Sequence, residues 1–302
     1  MEEIPVNETE RNVAFLTENC KVACSMQVPP HFRRPLLICC VILLGASLVL
    51  IRELKRIPKG NLTVQFFDVG QGDAALLTTP SGKTVLIDGG PDLSALEALG
   101  KSLPLSRRSI DLLILSHPDP DHFTAFPEVF RRFKVGALLL PAIQNDEEPY
   151  KALLAIAREQ GVPLVAADPQ RDIDLQDGVM LDILWPPNPV RGAEDNDNSI
   201  VFRAIYGTGS ILFTGDLSEK GEEVLLASGI DVSAQVLKVG HHGSRFSSSE
   251  EFLAAVHPRL SIISVGRDND YGHPHPDTLQ RLQDAHIPVR STAQDGEIQL
   301  VF

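Results

Sequence analysis

The sequence has no cysteine after Cys40, and its basic residues are outnumbered by its acidic ones. All four cysteines lie within the first forty residues, so the rest of the 302-residue chain needs no disulfide and tolerates either redox compartment. The net charge of −13 argues against a protein that holds nucleic acid by bulk electrostatics, which normally requires clustered basic side chains. An enzyme acting on nucleic acid is not excluded, because bound divalent cations reverse the local electric field.

Charged residues are also absent from residues 35–51 near the N-terminus. As a helix this run would rise about 25 Å, close to the hydrocarbon thickness of a thin bilayer. Basic residues flank it on both sides and no small-residue cleavage site closes it, which favours an uncleaved signal anchor over a removed signal peptide. A buried core helix is the alternative. We therefore predict a disordered segment at 1–34, a transmembrane anchor at 35–51, a linker at 52–61 and a globular domain at 62–302.

Short apolar runs bounded by glycine, proline and polar residues predict that strands dominate the globular domain. The first runs have hairpin spacing, and the next alternate with helical stretches, as in a parallel sheet. The same succession, strands with hairpin spacing and then strands alternating with helical stretches, occurs a second time further along the chain. Two such halves predict an α/β fold, a four-layer αββα sandwich. The predicted strands are 62–67, 74–78, 84–87, 110–115, 137–140, 163–166, 180–184, 199–204, 210–213, 236–239, 260–264, 289–291 and 298–302, and the predicted helices are 125–132, 150–160, 250–257 and 276–285.

Residues 117–122 read His-Pro-Asp-Pro-Asp-His and follow an apolar run that predicts a buried strand. Such a strand delivers the side chains of the next loop to the edge of a sheet. Pro118 and Pro120 have no N–H group, so we expect a stiff turn in which no helix begins until after Asp121. A polar turn with solvated acids is the alternative. The turn offers nitrogen and oxygen ligands, which suit zinc, manganese or iron better than calcium, from His117, Asp119, Asp121 and His122.

This turn resembles the HxHxDH motif of the metallo-β-lactamase superfamily, with Asp119 at the position of the second histidine. The same departure is found in the hydrolase-like domain at the C-terminal end of the ComEC family of DNA-uptake proteins, which the chain resembles from about Leu62 to Phe302. The resemblance implies the metallo-β-lactamase fold and a site for one or two zinc or manganese ions. The other motifs that carry it, in the same order as in the family, are residues 68–74, 86–90, 196–199, 214–216, 238–244 and 271–274.

The resemblance also implies which residues bind each ion. His117 and Asp119 would face one metal, Asp121 and His122 would face the other, and Asp216 would bridge the two. A carboxylate at Asp119 should shift the preference from zinc toward manganese, although the Irving–Williams order still favours zinc.

The chain contains no histidine between His122 and His241, where the superfamily usually has a further ligand. Asn198 or Asp197 lies at about that position in the sequence. The resemblance therefore implies that one ion is weakly held or that only one ion binds.

The late motifs leave several roles open. One of His241 and His242 should be a ligand, and the other should support the ligands or contact the substrate; we favour His242 as the ligand. Lys238 and Ser244 could contact an anionic substrate, although Lys238 could equally be a solvated strand end. His273 could be a last ligand or a general acid. His275 is expected to be a surface histidine before a helix.

Two aspartates in glycine-rich loops are expected to support the site. Asp73 resembles a residue that lies beside the metals in related domains, and Asp88 should hold the 117–122 turn by hydrogen bonds.

These observations predict a membrane-anchored hydrolase, and the resemblance to DNA-uptake proteins implies that its catalytic domain lies outside the cytoplasm. The resemblance favours metal-dependent phosphodiester hydrolysis of nucleic acid, with Asp121 at the metal and His241 or His273 protonating the leaving oxygen. A hydrolase of a small ester, lactone or amide stays open, because the chain is acidic. A non-catalytic domain that binds DNA or a partner through a degenerate metal site also stays open. No sequence feature indicates a particular protein partner.

Overall fold

The structure is a computed structural model that describes residues 30–142, 145–186 and 195–302. The chain divides into two compact units, residues 1–55 and residues 56–302. Most of the segment predicted to be disordered, 1–34, lies outside the described residues.

The first unit contains one described helix, α1, which spans Pro30–Arg56 and is longer than the uncharged run 35–51. Its stretch Arg33–Arg56 is long and apolar enough to cross a membrane. Its apolar side chains are exposed, with Leu37 and Leu43 each 65% accessible. An exposed apolar surface of this kind is typical of a membrane or protein contact.

Two seven-stranded sheets form the centre of the second unit, with strand orders β16-β1-β2-β3-β5-β7-β8 and β15-β14-β13-β12-β11-β10-β9. In the first sheet the strands from β16 to β3 pair antiparallel and those from β3 to β8 pair parallel. In the second sheet the strands from β9 to β12 pair antiparallel and those from β12 to β15 pair parallel. Strands β4 and β6 form a separate parallel pair. The strands are β1 Thr63–Phe66, β2 Ala75–Thr78, β3 Thr84–Ile87, β4 Ser109–Ile110, β5 Leu112–Ile114, β6 Lys134–Val135, β7 Leu138–Leu140, β8 Leu164–Ala166, β9 Ile173–Asp174, β10 Val179–Trp185, β11 Val201–Tyr206, β12 Gly209–Phe213, β13 Val236–Lys238, β14 Leu260–Ile263, β15 Val289–Ser291 and β16 Ile298–Val301.

Helices cover the outer face of each sheet, which confirms the predicted αββα sandwich. One buried cluster joins the first sheet to helices α2, α4 and α5, and another joins the second sheet to α6, α7 and α8. A third cluster fills the space between the sheets, where the rings of Phe66 and Phe213 stack at 5.8 Å. The helices are α2 Ser94–Ser102, α3 Pro120–Phe123, α4 Phe126–Arg132, α5 Glu148–Glu159, α6 Glu219–Ala227, α7 Glu250–Val256, α8 Pro276–Asp284 and α9 Thr292–Asp295, with 3-10 turns at Asp195–Asn198 and Gly240–Gly243.

The short helix α3 corrects one expectation about the 117–122 turn. It begins at Pro120, with Asp119 as the residue before it in extended backbone, so the prediction that no helix begins until after Asp121 was wrong. Proline is tolerated at the first helical position, because the N–H there has no partner in the helix and the fixed φ suits a helix start.

Candidate metal centre

The polar residues of the predicted motifs meet where strands of both sheets end. Asp88 follows β3, His117 follows β5, Asp216 follows β12 and His242 follows β13. Within each sheet these strands are parallel neighbours, so their ends lie at one edge. A backbone hydrogen bond of 2.8 Å from Ile200 N–H to the Ser116 carbonyl joins the two sheets at this edge.

Asp216 is the centre of the cluster. The Nε2 atoms of four histidines, His117, His122, His241 and His242, lie 3.4–3.9 Å from its carboxylate oxygens. Two atoms bound to the same tetrahedral ion at about 2.1 Å are separated by roughly 3.4 Å. The arrangement is therefore the one expected for side chains that share metal ions through a bridging carboxylate.

The second member of the cluster is the carboxylate of Asp121. Its Oδ2 lies 3.3 Å from His242 Nε2 and 3.9 Å from His122 Nε2. Asp121, His122 and His242 each offer one ligand atom within 4.8 Å of the others, as do His117, His122 and Asp216. These two groups, of the four that the described residues offer, would form two adjacent positions for a cation.

Asp119 belongs to the outer side of the first position. Its Oδ2 is 3.5 Å from His117 Nε2, and its side chain is 40% exposed. His241 is on the same side and is 32% exposed, whereas His242 is buried. The His117–Asp119 side therefore has two part-exposed side chains, Asp119 and His241, whereas the Asp121–His122–His242 group has one, Asp121 at 35%.

Several inward-facing ligand atoms are buried without a hydrogen-bond partner among the described residues. They are the Nε2 atoms of His117, His122 and His242 and the Oδ1 atom of Asp216. A buried polar atom left unpaired costs about 1–3 kcal/mol, so four that converge on one point require an explanation. Divalent cations fit this donor set, since they would bind each of these atoms and neutralise the carboxylates.

Asp88 and Ser116 orient the buried histidines. Asp88 accepts the N–H of Ser116 through Oδ1 at 2.8 Å and the hydroxyl of Ser116 through Oδ2 at 2.8 Å. The same Oδ2 lies 3.0 Å from His122 Nδ1, and the Ser116 hydroxyl lies 3.0 Å from His117 Nδ1. A hydrogen bond on Nδ1 places the free electron pair of His122 on Nε2, the atom that faces the cluster. Asp88 therefore lies where the predicted supporting role requires it.

The loop Gly240–Gly243 presents its two histidines through an unusual backbone. His241 and His242 both adopt left-handed conformations, with φ of 49° and 54°. Left-handed backbone is uncommon for residues other than glycine and is found mainly where function requires it. The conformation aims both imidazoles at Asp216, and the carbonyl of Ser264 lies 3.0 Å from His242 Nδ1.

Asp73 and Lys238 form a buried ion pair beneath His242. Their charged atoms are in contact, and the side chains are 9% and 3% exposed. Asp73 Oδ1 also lies 3.4 Å from His242 Nδ1. Lys238 is therefore not a solvated strand end, and its ammonium group is engaged by Asp73. A side chain at Gly72 would overlap the Asp121 carbonyl, so glycine is needed for this loop to approach the centre.

The charged groups of the cluster strongly shift one another's pKa values. Burial alone would raise the pKa of Asp216, but His242 and His122 hold it well below its usual range. Burial would lower the pKa of His242 and His122, but the neighbouring carboxylates, Asp216 first, raise both well above normal. Burial would also raise the pKa of Asp73, and Lys238 and His242 hold it far below its usual value. Binding of a cation would displace protons from the two histidines.

The remaining predicted residues lie outside the ligand cluster. Asn198 is buried in the 3-10 turn before Ser199, whose hydroxyl accepts the Asp216 N–H at 3.1 Å. Asp197 accepts a hydrogen bond from the Ser218 hydroxyl, so it does not replace the missing histidine. The Ser244 hydroxyl accepts the N–H of Phe246 within a turn.

His273 and His275 have different surroundings. The His273 ring lies 5.9 Å from that of His241 in an edge-on contact, which places it beside the first metal position. Burial, together with His241 and His242, lowers its pKa to about 4. His275 accepts the Asp277 N–H at the start of α8, in keeping with a histidine that precedes a helix.

Sequence reasoning missed the groups that fix these side chains. Ser116 and the Ser264 carbonyl position histidines, and the Gln71 side chain accepts the N–H of Gly266 at 3.2 Å, which ties the first glycine-rich loop to the loop after β14. Only Ser116, adjacent to His117, had a signal that could have been recognised.

The chain is similar to known proteins in sequence and in fold. Residues 67–267 match the sequence profile of the Metallo-beta-lactamase superfamily. The chain is 33% identical over 253 residues to ComE operon protein 3 of Bacillus subtilis, covering 78% of this chain and 32% of that protein. It is 33% identical over 269 residues to Recombination protein 2 of Haemophilus influenzae, covering 87% of this chain and 31% of that protein. The chain spans about a third of the length of these curated relatives.

The fold is also similar to that of CmlA, a diiron beta-hydroxylase from Streptomyces venezuelae. The TM-score is 0.53 at 16% sequence identity, and the match covers 81% of this chain and 55% of that chain. At this identity the similarity concerns the fold alone.

Proposed function

Because the chain belongs to the metallo-β-lactamase superfamily, we propose that it is a metal-dependent phosphodiesterase that acts on nucleic acid. One observation carries the proposal: the buried, unpaired ligand atoms of His117, His122, His242 and Asp216 converge on one point. Nucleic acid is the substrate class because of the resemblance to DNA-uptake proteins and because one relative is named as a recombination protein.

Two sets of residues would hold the ions. Asp121, His122, His242 and Asp216 would form the buried position, and His117, Asp119, His241 and Asp216 the more exposed one. A divalent cation bound there lowers the pKa of water and neutralises negative charge that develops on a phosphate. Zinc and manganese both suit these ligands, and the carboxylate of Asp119 favours manganese at the exposed position.

The protein's own residues would hold the substrate and supply a proton. His241 and His273 lie on the exposed side of the cluster, where a phosphodiester would enter. His273, with a pKa of about 4, is neutral near pH 7 when no anion is bound. A phosphate beside it would raise that pKa, because a negative charge favours the imidazolium form. Its ring could then donate a proton to the leaving oxygen.

Leaving-group dependence tests the role of His273. His273→Ala should keep its metal and slow hydrolysis by about 100- to 10,000-fold on substrates with a poor leaving group. The loss should shrink with nitrophenolate, which needs little protonation. An equal loss on both substrates, or loss of metal, would make His273 a ligand instead.

Helix α1 would anchor the protein in a membrane, with the catalytic domain outside the cytoplasm. Full-length protein should sediment with membranes, and deletion of residues 1–56 should release it. Recovery of the full chain in the soluble fraction would exclude the anchor.

A substrate panel tests the proposed chemistry. Phosphodiester, carboxylic ester and lactone substrates should be compared after manganese or zinc is added to metal-stripped protein. We expect phosphodiester cleavage to exceed the other two activities. Preferential ester or lactone cleavage would identify a hydrolase of small molecules, and metal binding without any turnover would indicate a binding domain.

A further inference from the structure

Two aromatic side chains are unusually exposed in the second unit. Tyr271 is 71% exposed and Phe246 is 61% exposed, the highest values for large apolar residues described in this unit. Phe246 follows β13 and the Gly240–Gly243 turn, and Tyr271 follows β14, so both belong to loops that leave the metal edge of the second sheet. Exposed aromatic residues beside a site are typical of ligand contact rather than of folding.

The Tyr271 ring is connected to the metal centre by other rings. It stacks on the ring of His273 with centroids 6.0 Å apart and planes inclined by 24°. His273 in turn lies 5.9 Å from His241, whose Nε2 is 3.8 Å from Asp216 Oδ2. Tyr271 is therefore two ring-to-ring steps from His241, on the exposed side of the cluster.

The loop that carries Tyr271 is held in place by one side chain. The Asn269 amide oxygen accepts the N–H groups of Tyr271 and His273 at 3.2 and 3.0 Å. Its amide nitrogen donates to the carbonyls of Gly266 and His273 at 2.8 and 2.7 Å. A loop whose backbone is fixed in this way loses little conformational entropy when it binds a ligand.

The charges around Tyr271 favour a base over a phosphate. The loop holds two exposed aspartates, Asp268 and Asp270, against one exposed arginine, Arg267, whose Nε donates to the Ala293 carbonyl, so its net negative charge would repel the nucleic-acid backbone. The chain has an excess of acidic residues, and its affinity for nucleic acid cannot come from a basic stripe. Stacking of uncharged bases on an aromatic ring needs no basic residues and tolerates any sequence.

We propose that Tyr271 is a specificity-determining residue that stacks on an unpaired nucleobase next to the scissile phosphate. This inference rests on the proposed phosphodiesterase function and adds the requirement for a base that is free to stack. It predicts that the enzyme distinguishes a single-stranded nucleic acid from a phosphodiester chain that lacks bases.

The test compares a short single-stranded oligonucleotide with an abasic chain of the same length, both with added manganese. In the wild type, KM and Kd should be about 5- to 150-fold lower for the oligonucleotide, the range that stacking of one base supplies. Tyr271→Ala should remove this preference through KM rather than kcat, and Tyr271→Phe should keep it. Val224→Ala, which truncates an apolar residue that is 52% exposed on α6, is the matched control and should keep it too.

The outcomes separate this inference from the proposed function. Cleavage of both chains with equal KM by the wild type would overturn the role of Tyr271 and leave the phosphodiesterase intact. An unchanged preference in Tyr271→Ala would do the same. If neither chain is cleaved, the proposed function fails. Kd measured by fluorescence anisotropy then decides the inference, since equal Kd values for the two chains would overturn it.

Discussion

Replacing Asp88 by asparagine should reverse the hydrogen-bonding pattern that prepares His122 for a metal. Asp88 Oδ1 accepts the Ser116 N–H, so the amide oxygen of asparagine must take that position. The amide nitrogen then replaces Oδ2, which lies 3.0 Å from His122 Nδ1. Because this nitrogen can only donate, His122 Nδ1 must accept, and the ring proton moves to Nε2. Nε2 is the atom that faces Asp216, so the electron pair needed for a metal is lost.

The main expected effect of Asp88→Asn is a weaker affinity for metal. Loss of a partner that orients a metal-bound histidine typically weakens binding about 10- to 100-fold, or roughly 1.4–2.8 kcal/mol. The side chain keeps its shape, and asparagine tolerates the left-handed backbone at this position, where φ is 57°. The fold should therefore persist, although loss of the charge-assisted hydrogen bond to His122 should lower the free energy of unfolding without metal by about 1.5–3 kcal/mol.

Isothermal titration of metal-stripped protein with manganese and zinc measures this effect. Asp111→Asn is the matched control, because Asp111 also accepts an N–H and a hydroxyl, from Thr84, but lies outside the cluster. A Kd in Asp88→Asn within twofold of the wild-type value, with the fold intact, would refute the proposed role of this carboxylate.

The remaining predictions concern the ions and two other buried charges. Metal titration should show one ion that binds tightly, whose binding is lost in His242→Ala, and one ion that binds weakly, whose affinity rises in Asp119→His. Two equally tight zinc ions in the wild type would contradict this. Lys238→Met leaves Asp73 buried without its partner and should cost about 3–5 kcal/mol in urea unfolding, most of it recovered in the double variant with Asp73→Asn. A single variant within 1 kcal/mol of wild type would show that the pair is unimportant. Burial raises the pKa of Glu222 from 4.5 to about 7, so the folded state holds a proton that the unfolded state has lost. The free energy of unfolding should therefore fall by about 3 kcal/mol as the pH rises from 4.5 to 7, and an equal slope in Glu222→Gln would exclude this source.

The sheets were predictable because their strands are short apolar runs between turn residues. The two longest of the helices that were not predicted, α2 and α6, were each missed for a local reason. Helix α2, Ser94–Ser102, is only nine residues long, and its buried stripe consists of Ala95, Leu96 and Leu99. Helix α6 contains Gly221 in its first turn, which lowers helix propensity, yet a side chain there would collide with Leu217. Both helices are stabilised by packing against the sheet, which residue propensities do not reveal.

The ligand types at the centre were predictable from motifs, but their geometry was not. The sequence His241-His242 does not reveal that both residues adopt left-handed backbone, which determines where each imidazole points. The pairing of Asp73 with Lys238 joins residues far apart in the chain and depends on how the two sheets pack. Aspartate at position 119, where the family motif has histidine, could be read directly from the sequence, and in the structure its side chain is 40% exposed.

Cleavage of a single-stranded oligonucleotide by metal-stripped protein, as manganese is added back, tests the central claim most directly. The wild type should be inactive without metal and regain activity in proportion to the ions bound. A variant that combines Asp121→Ala with His122→Ala should remain inactive at every manganese concentration, because it lacks two ligands of the buried position. Diester hydrolysis by that variant at the wild-type rate would contradict the account.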